Sequence, residues 1–296
     1  MRKKAVLIGK GYWGSILQNY IYKDYQLIAI FGKDYRENDL IQALQEADVA
    51  FIATPLKAHF SLCKIALECD CDVFVEKPTT PTLSVFESLL SIAQHNKHII
   101  FTDYIYTFSR SIRYALDFLA SNRGNLQSIH ATLTQYGAFY EDESVIEVLG
   151  VHYLSILAQM CQKGILEYLL PTRSIFCDKD KQSVCIDIES SHKGSPIHIR
   201  LDCPLLHNTK ARIIQFHTDE CQLQVDMLSP VPFSVSPLLT NVNLPVFDEK
   251  NNLSLSLQYF HQALNDRAFY TSHLQLCKQV LELMDRSNLI ATFQGS

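Results

Sequence analysis

Three glycines near the start of the chain, Gly9, Gly11 and Gly14, stand at the spacing G-x-G-x-x-G. This spacing suits a loop that binds phosphate. The first glycine allows a tight turn, the second lets the backbone approach a pyrophosphate, and the third lets a helix pack on a strand. The N–H groups at the start of that helix then bind the phosphates. We therefore predict a dinucleotide-binding loop, in which Tyr12 and Trp13 also contact the ligand.

The elements around this loop must form a βαβ unit if the interpretation is correct. Ala5–Ile8 is a short apolar run bounded by glycine, which is typical of a buried strand in a parallel sheet. Apolar residues recur at helical spacing from Trp13 to Ile21, and Leu27–Phe31 is a second apolar run. Strand, loop, helix and strand thus follow one another in the order that dinucleotide binding requires.

The end of the second strand indicates which dinucleotide binds. An acidic residue at this position usually bonds the adenosine ribose and selects NAD. Here Gly32 occupies the position, and Lys33 and Arg36 can supply positive charge to a 2′-phosphate. This pattern favours NADP as the cofactor. NAD stays the alternative, because Asp34 can still reach back to the ribose.

Composition and charge narrow the class of protein. The chain has 296 residues, 47% of them hydrophobic and 19% charged, which suits one large or two modest globular domains. Its net charge is −5 and it has no dense patch of lysine and arginine, so we expect no nucleic-acid partner. No apolar run approaches the roughly 18 residues of a membrane span. The nine cysteines are scattered and lack zinc-site spacing, which indicates reduced thiols, no metal site and a cytoplasmic location.

The order of predicted elements changes along the chain. Up to about residue 120, strands and helices alternate, including a predicted helix at His59–Glu68, which indicates a doubly wound parallel sheet. From about Asn125, successive strands with polar alternation predict a mostly antiparallel open sheet. We therefore predict an α/β Rossmann domain over residues 1–120 and an α+β domain over residues 121–296, for substrate binding and oligomerisation. The C-terminal helices are expected to pack back on the first domain.

Three further motifs complete a pattern that resembles a known family. Ala53–Pro55 reads A-T-P, Glu76–Pro78 reads E-K-P, and Gly150–His152 reads G-x-H. Together with the N-terminal glycine loop, these motifs resemble the glucose-fructose oxidoreductase and inositol dehydrogenase family, Gfo/Idh/MocA. The resemblance covers nearly the whole chain and is nearest to members that act on nucleotide-linked sugars. It implies an NAD(P)-dependent dehydrogenase or reductase that transfers a hydride between nicotinamide and a hydroxyl or carbonyl carbon of a sugar or sugar nucleotide.

The resemblance also implies roles for individual residues. Lys77 would reach the substrate hydroxyl and the nicotinamide, at the carboxyl end of a parallel strand where an ammonium can hydrogen-bond a developing alkoxide. His152 would exchange the hydroxyl proton, for which a pKa of about 6.5 is suitable. Tyr104 and Tyr136 are candidate substrate contacts. Four more residues are expected to contribute to the cofactor site: Thr54, Pro55, His59 and Glu76.

Two positions near His152 depart from the family pattern. Many members have an aspartate four residues before this histidine, where the chain has Val148, and the sugar-nucleotide members often have aspartate directly after it, where the chain has Tyr153. Glu147 lies about 100° away around the helix and does not replace the first of these acids. One alternative is therefore a catalytically decayed NAD(P)-binding sensor or assembly protein. Another is a structural subunit, since relatives often form homodimers or homotetramers through the antiparallel sheet.

Overall fold

The computed structural model describes residues 2–121, 124–137, 142–237, 245–247 and 252–294. The chain divides into two compact units. The first comprises Met1–Tyr104 and Leu253–Leu281, and the second comprises Ile105–Asn252 and Glu282–Ser296. None of the helices in the described ranges is both long and apolar enough to cross a membrane.

The first unit is built on a parallel sheet of five strands in the order β2-β1-β3-β4-β5. Its strands and helices alternate as follows: β1 (Lys4–Ile8), α1 (Tyr12–Asp24), β2 (Gln26–Phe31), α2 (Glu37–Gln45), β3 (Val49–Ile52), α3 (His59–Glu68), β4 (Asp72–Glu76), α4 (Leu83–Asn96) and β5 (Ile100–Asp103). β3 and β5 are buried along their whole length and β1 is buried after its first residue, as expected for parallel strands covered on both faces. The Rossmann-like sheet that the sequence predicts is therefore confirmed.

The second unit is built on an eight-stranded sheet in the order β12-β11-β10-β6-β9-β8-β7-β13. Its elements are α5 (Arg110–Ala120), β6 (Leu126–Tyr136), α6 (Val151–Gln162), β7 (Leu170–Phe176), β8 (Ser183–His192), β9 (Ser195–Pro204), β10 (Leu206–Thr218), β11 (Gln222–Asp226), β12 (Phe233–Ser236) and β13 (Ala291–Phe293). The predicted mostly antiparallel sheet is confirmed. The pairs β6–β9 and β7–β13 are parallel, so the sheet is mixed.

The boundary between the units falls earlier in the chain than the predicted division after residue 120. A 3₁₀ turn at Ile105–Phe108 contacts α6, and α5 contacts β11. Both segments therefore pack with the second sheet, although they follow the last parallel strand directly. The assignment of cofactor binding to one domain and of substrate binding to the other stays a prediction.

Two C-terminal helices, α7 (Asn252–Asn265) and α8 (Arg267–Leu289), supply residues to the first unit. Phe51, Phe74 and Phe101 stand side by side on β3, β4 and β5, and Phe260 of α7 packs on all three, with ring centroids 5.5–6.0 Å apart. An aromatic cluster of this kind buries a large apolar area. It fixes α7 on this face of the sheet.

Side chains of α8 satisfy the outer backbone groups of β5, the last strand of the parallel sheet. The Ile100 N–H donates to the Tyr270 hydroxyl at 3.1 Å, and the Thr102 N–H donates to Nε2 of His273 at 3.2 Å. The His273 ring also stacks on Phe101, with centroids 4.0 Å apart. A strand at the edge of a sheet exposes a row of unpaired N–H groups. Here the helix covers that edge and accepts two of these hydrogen bonds.

Candidate functional site

The carboxyl ends of β1, β3 and β4 bring three of the predicted motifs to one edge of the first unit's sheet. The glycine loop follows β1, Thr54 and Pro55 follow β3, and Lys77 follows β4. The strand order reverses between β1 and β3, because β2 lies on one side of β1 and β3 on the other. Open α/β sheets bind ligands at the carboxyl ends of the strands, beside such a reversal.

The three glycines of the loop differ in the space that surrounds each Cα atom. A Cβ on Gly9, whose φ is +122°, would lie 2.1 Å from the Ala53 carbonyl oxygen, and a Cβ on Gly14 would lie 2.0 Å from the Gly9 carbonyl oxygen. The protein's own backbone therefore requires these two glycines. A Cβ on Gly11 would meet no described atom within 4 Å, its chain neighbours aside. Only Gly11 faces open space, as a close approach by pyrophosphate requires.

The start of α1 is suited to an anion. Gly11 is the N-cap and has no capping side chain, and the first turn contains no acidic residue. The free N–H groups and the helix dipole both favour a phosphate at such a terminus. Tyr12 is 77% exposed and Trp13 49% exposed, with their rings in an edge-to-face arrangement 5.5 Å apart. Both aromatic rings are therefore accessible beside the loop, where we predicted cofactor contacts.

Lys10 is a residue of this edge that the sequence reasoning missed. A Cβ built on Gly32 would lie 3.2 Å from Cδ of Lys10, so the alkyl chain of Lys10 lies against the residue that replaces the ribose-binding acid. Lys33 and Arg36 follow in the same exposed loop. The position of Lys10 between Gly9 and Gly11 could have indicated this proximity to Gly32, because the glycine loop and the end of β2 are adjacent in βαβ units of this kind.

Thr54 and His59 connect the loops after β3 and β4. The buried Thr54 hydroxyl has no hydrogen-bond partner among the described residues. His59, the first residue of α3, is buried, with Nδ1 2.9 Å from the Pro78 carbonyl oxygen and Nε2 2.8 Å from the Thr54 carbonyl oxygen. Burial lowers the pKa of His59. His59 therefore holds the two loops together through their backbones, and a cofactor contact of the Thr54 hydroxyl stays a prediction.

Lys77 is partly buried at the carboxyl end of β4, and its peptide bond to Pro78 is cis. The preceding Glu76 lies opposite Asp103 on β5. Tyr104, a predicted substrate contact, is completely buried, and burial raises its pKa well above the usual range. A side chain without accessible surface does not reach a substrate in this structure, so burial argues against the predicted role of Tyr104.

In the second unit, His152 lies near the start of α6 and stacks on Tyr106. The two ring centroids are 4.3 Å apart and the planes are 24° from parallel. The buried Arg212 of β10 donates a hydrogen bond to the Tyr106 hydroxyl and another to the Thr134 carbonyl oxygen at 2.8 Å. Tyr106 and Arg212 therefore orient the His152 ring. No sequence motif indicated either residue.

The two departures from the family pattern are part of the core. Val148 is buried, and the completely buried Tyr153 donates its hydroxyl to the Ile213 carbonyl oxygen at 2.7 Å. Glu147 binds elsewhere, because its carboxylate accepts the Ser144 N–H at 2.8 Å and the Asn288 side-chain amide at 3.1 Å. Among the described residues, positions 148 and 153 therefore supply no carboxylate in place of the missing acids.

Tyr136, the other predicted substrate contact, is the last residue of β6 and is 70% exposed. Its ring is therefore accessible to a ligand, unlike that of Tyr104. The role of Tyr136 as a substrate contact stays a prediction.

The parallel sheet of the first unit and a match to one family model indicate an oxidoreductase with an NAD-binding Rossmann domain. Residues 31–104 match the model of the Gfo/Idh/MocA oxidoreductase family, described as an NAD-binding Rossmann fold. The predicted resemblance, the enzyme class and a nicotinamide dinucleotide as cofactor are thereby confirmed. Among curated proteins, the chain has no match.

Solved structures share the fold over the whole chain. UDP-N-acetylglucosamine 3-dehydrogenase GnnA from Acidithiobacillus ferrooxidans is 16% identical, with 98% of each chain covered and a TM-score of 0.78. KijD10, a 3-ketoreductase from Actinomadura kijaniata solved with NADP, is 14% identical, with 99% of each chain covered and a TM-score of 0.79. At these identities the likeness shows a common fold.

Proposed function

We propose that this protein transfers a hydride between NADP and a hydroxyl or carbonyl carbon of a sugar nucleotide. The observation that carries the proposal is the position of Lys77 at the carboxyl end of β4, on the sheet edge that also holds the glycine loop. A fixed ammonium there stabilises the negative charge that develops on the substrate oxygen. The substrate class is supported by GnnA, a UDP-N-acetylglucosamine dehydrogenase, and by KijD10, a 3-ketoreductase.

The roles of the site residues follow from their chemistry. The glycine loop and the start of α1 would hold the pyrophosphate, and the Thr54 hydroxyl would bond the nicotinamide end. Nicotinamide, when bound, supplies the hydride acceptor or donor. Lys77 would donate a hydrogen bond to the substrate oxygen, and His152, oriented by Tyr106, would take the hydroxyl proton in oxidation and return one in reduction.

The NADP preference is supported by the residues around Gly32. This position has no carboxylate to bond the ribose hydroxyls, and the alkyl chain of Lys10 lies against it. Together with Lys33 and Arg36, Lys10 brings three positive charges to the place where a 2′-phosphate would bind.

Turnover by a Lys77 variant tests the proposal. Purified protein is incubated with NADP⁺ or NADPH and a panel of UDP- and TDP-linked sugars and 3-keto sugars, and the absorbance of reduced nicotinamide is followed. We expect turnover with at least one sugar nucleotide, at least 100-fold slower for Lys77→Ala, and unchanged for Lys64→Ala, an exposed lysine of α3. Equal rates for Lys77→Ala and the wild type would refute the assignment.

The second candidate function is cofactor binding without catalysis. It is favoured by the buried Val148 and by Tyr153, whose hydroxyl is bonded to backbone, because neither position supplies an acid beside His152. NADPH binding measured by fluorescence, with no turnover of any sugar nucleotide in the panel, would support this candidate.

A further inference from the structure

Two carboxyl groups lie side by side where β4 and β5 end. Glu76 and Asp103 are direct partners in the parallel register, so their side chains project from the same face of the sheet. Neighbouring strands are about 4.8 Å apart, and the Glu76 charge acts electrostatically on Asp103. Asp103 is only 2% exposed, and Glu76 is partly buried.

Each carboxyl group has a defined partner. Ser256 of α7 donates its hydroxyl to Oδ1 of Asp103 at 2.6 Å. The backbone N–H of Lys77 donates to the Glu76 carboxylate, and the Lys77 ammonium acts electrostatically on both acids. The lysine to which we assign the substrate oxygen is therefore bound, through its backbone and its charge, to this pair.

The surroundings of Glu76 and Asp103 favour the protonated form of each carboxyl group, because the pKa of each is raised. Burial raises the pKa of Asp103 well above its usual range and the Glu76 charge raises it further, while the Ser256 hydrogen bond and Lys77 lower it. Burial likewise raises the pKa of Glu76, against the opposing effect of Lys77. A negative charge on Glu76 opposes ionisation of Asp103, because repulsion between two carboxylates is weakly screened in a buried site.

The other titratable groups near the pair carry no charge at neutral pH. From α8, His273 and Cys277 bond Thr102, the residue before Asp103, and burial lowers the pKa of His273 to about 3 and raises that of Cys277 to about 12. His59 of α3 is within hydrogen-bond distance of two backbone carbonyl oxygens, and burial lowers its pKa. Among the described groups that face the pair, Lys77 is therefore the cation.

We propose that Glu76 and Asp103 are a positioning pair for Lys77. The two carboxyl groups share one proton, and their single negative charge holds the Lys77 ammonium at the strand end. The inference rests on the proposed function, because it takes Lys77 as the group that contacts the substrate oxygen. Asp103 acts through Lys77 and has no contact with the substrate of its own.

Infrared spectroscopy of the purified protein tests the shared proton without any substrate. At neutral pH we expect the carbonyl stretch of a protonated carboxylic acid in the wild type and in Asp117→Asn, a control on an exposed ion pair. We expect the band to disappear in Asp103→Asn, because Glu76 alone then ionises beside Lys77. Absence of the band from the wild type at neutral pH would overturn the proposal, whether or not the variants fold.

The pH profile of turnover tests the positioning role. With the sugar nucleotide that the wild type uses, kcat/KM should lose the inflection that belongs to the pair in both Asp103→Asn and Glu76→Gln, and kcat should fall about tenfold. NADPH binding by Asp103→Asn should stay unchanged, and Asp103→Glu should restore part of the rate. Ser256→Ala keeps both carboxyl groups and should shift the inflection to higher pH.

The outcomes separate this inference from the proposed function. If Lys77→Ala turns over substrate as fast as the wild type, the proposed function fails. If Lys77→Ala is inactive while Asp103→Asn has the infrared band and the pH profile of the wild type, only the positioning pair is refuted.

Discussion

Gly11→Ala and Gly14→Ala each add one methyl group to the same loop. We expect the first to weaken cofactor binding and the second to destabilise the fold. At Gly14 the new Cβ would lie 2.0 Å from the Gly9 carbonyl oxygen, so the backbone must move by more than 1 Å. At Gly11 it would meet open space, and the backbone, with φ at −73° and ψ at −170°, is one that alanine adopts without strain.

The magnitudes follow from these two geometries. We expect Gly14→Ala to lower the free energy of unfolding by about 3 kcal/mol, which is about 6 °C in Tm for a chain of this size. Gly11→Ala should change the stability of the ligand-free protein by less than about 1 kcal/mol. Its methyl group occupies the path of the pyrophosphate, so we expect the Kd for NADPH to rise about 10- to 100-fold, a loss of about 1.4 to 2.7 kcal/mol.

Thermal unfolding with and without NADPH, together with NADPH fluorescence titration, measures both effects. A ligand that binds only the native state raises Tm according to its occupancy. Gly11→Ala should therefore unfold at the wild-type temperature without ligand and lose the increase that NADPH produces. Wild-type NADPH affinity in Gly11→Ala would refute the placement of the pyrophosphate, and wild-type stability of Gly14→Ala would refute the packing argument.

Three further predictions concern single side chains. Lys10→Ala should weaken NADPH binding about tenfold and leave NADH binding unchanged in fluorescence titrations, because only NADPH carries the 2′-phosphate; an equal loss for both cofactors would contradict this role. The pKa of His273 is about 3 in the folded protein, against an ordinary value of 6.5. Between these two pH values, only the unfolded chain binds a proton at this residue. Urea unfolding should therefore show about 2 kcal/mol less stability at pH 5 than at pH 7 from this group, a dependence that His273→Gln removes. Tyr106→Leu should lower kcat/KM about 10- to 100-fold by releasing the His152 ring, whereas Tyr168→Leu, at a half-exposed site, should not.

Much of the first unit could be predicted from the sequence, because its signals are local. The G-x-G-x-x-G loop, the apolar strand before it and the helical spacing after it lie within about 20 residues, and the helix predicted at His59–Glu68 has those bounds in the structure. Parallel strands buried on both faces read as continuous apolar runs. Their order along the chain is sufficient to predict that the glycine loop, Thr54 and Lys77 lie at one sheet edge.

Local patterns were less informative about the second unit and about the domain boundary. Polar alternation identifies strands but not their partners, so the parallel pairing of β6 with β9 was not predicted. The segment Ile105–Ala120 follows the last parallel strand and yet packs with the second sheet. Strand pairing and packing depend on contacts between residues far apart in sequence, which periodicity does not encode.

The surroundings of the site residues were decided by tertiary structure alone. The sequence determined that Lys77, His152 and the glycine loop are present in the family's order. Only the fold places Asp103 opposite Glu76, which precedes it by 27 residues. Only the fold places Tyr106 against His152, which follows it by 46 residues. Burial and neighbouring charge set the protonation and orientation of such groups, and both arise when distant segments pack together.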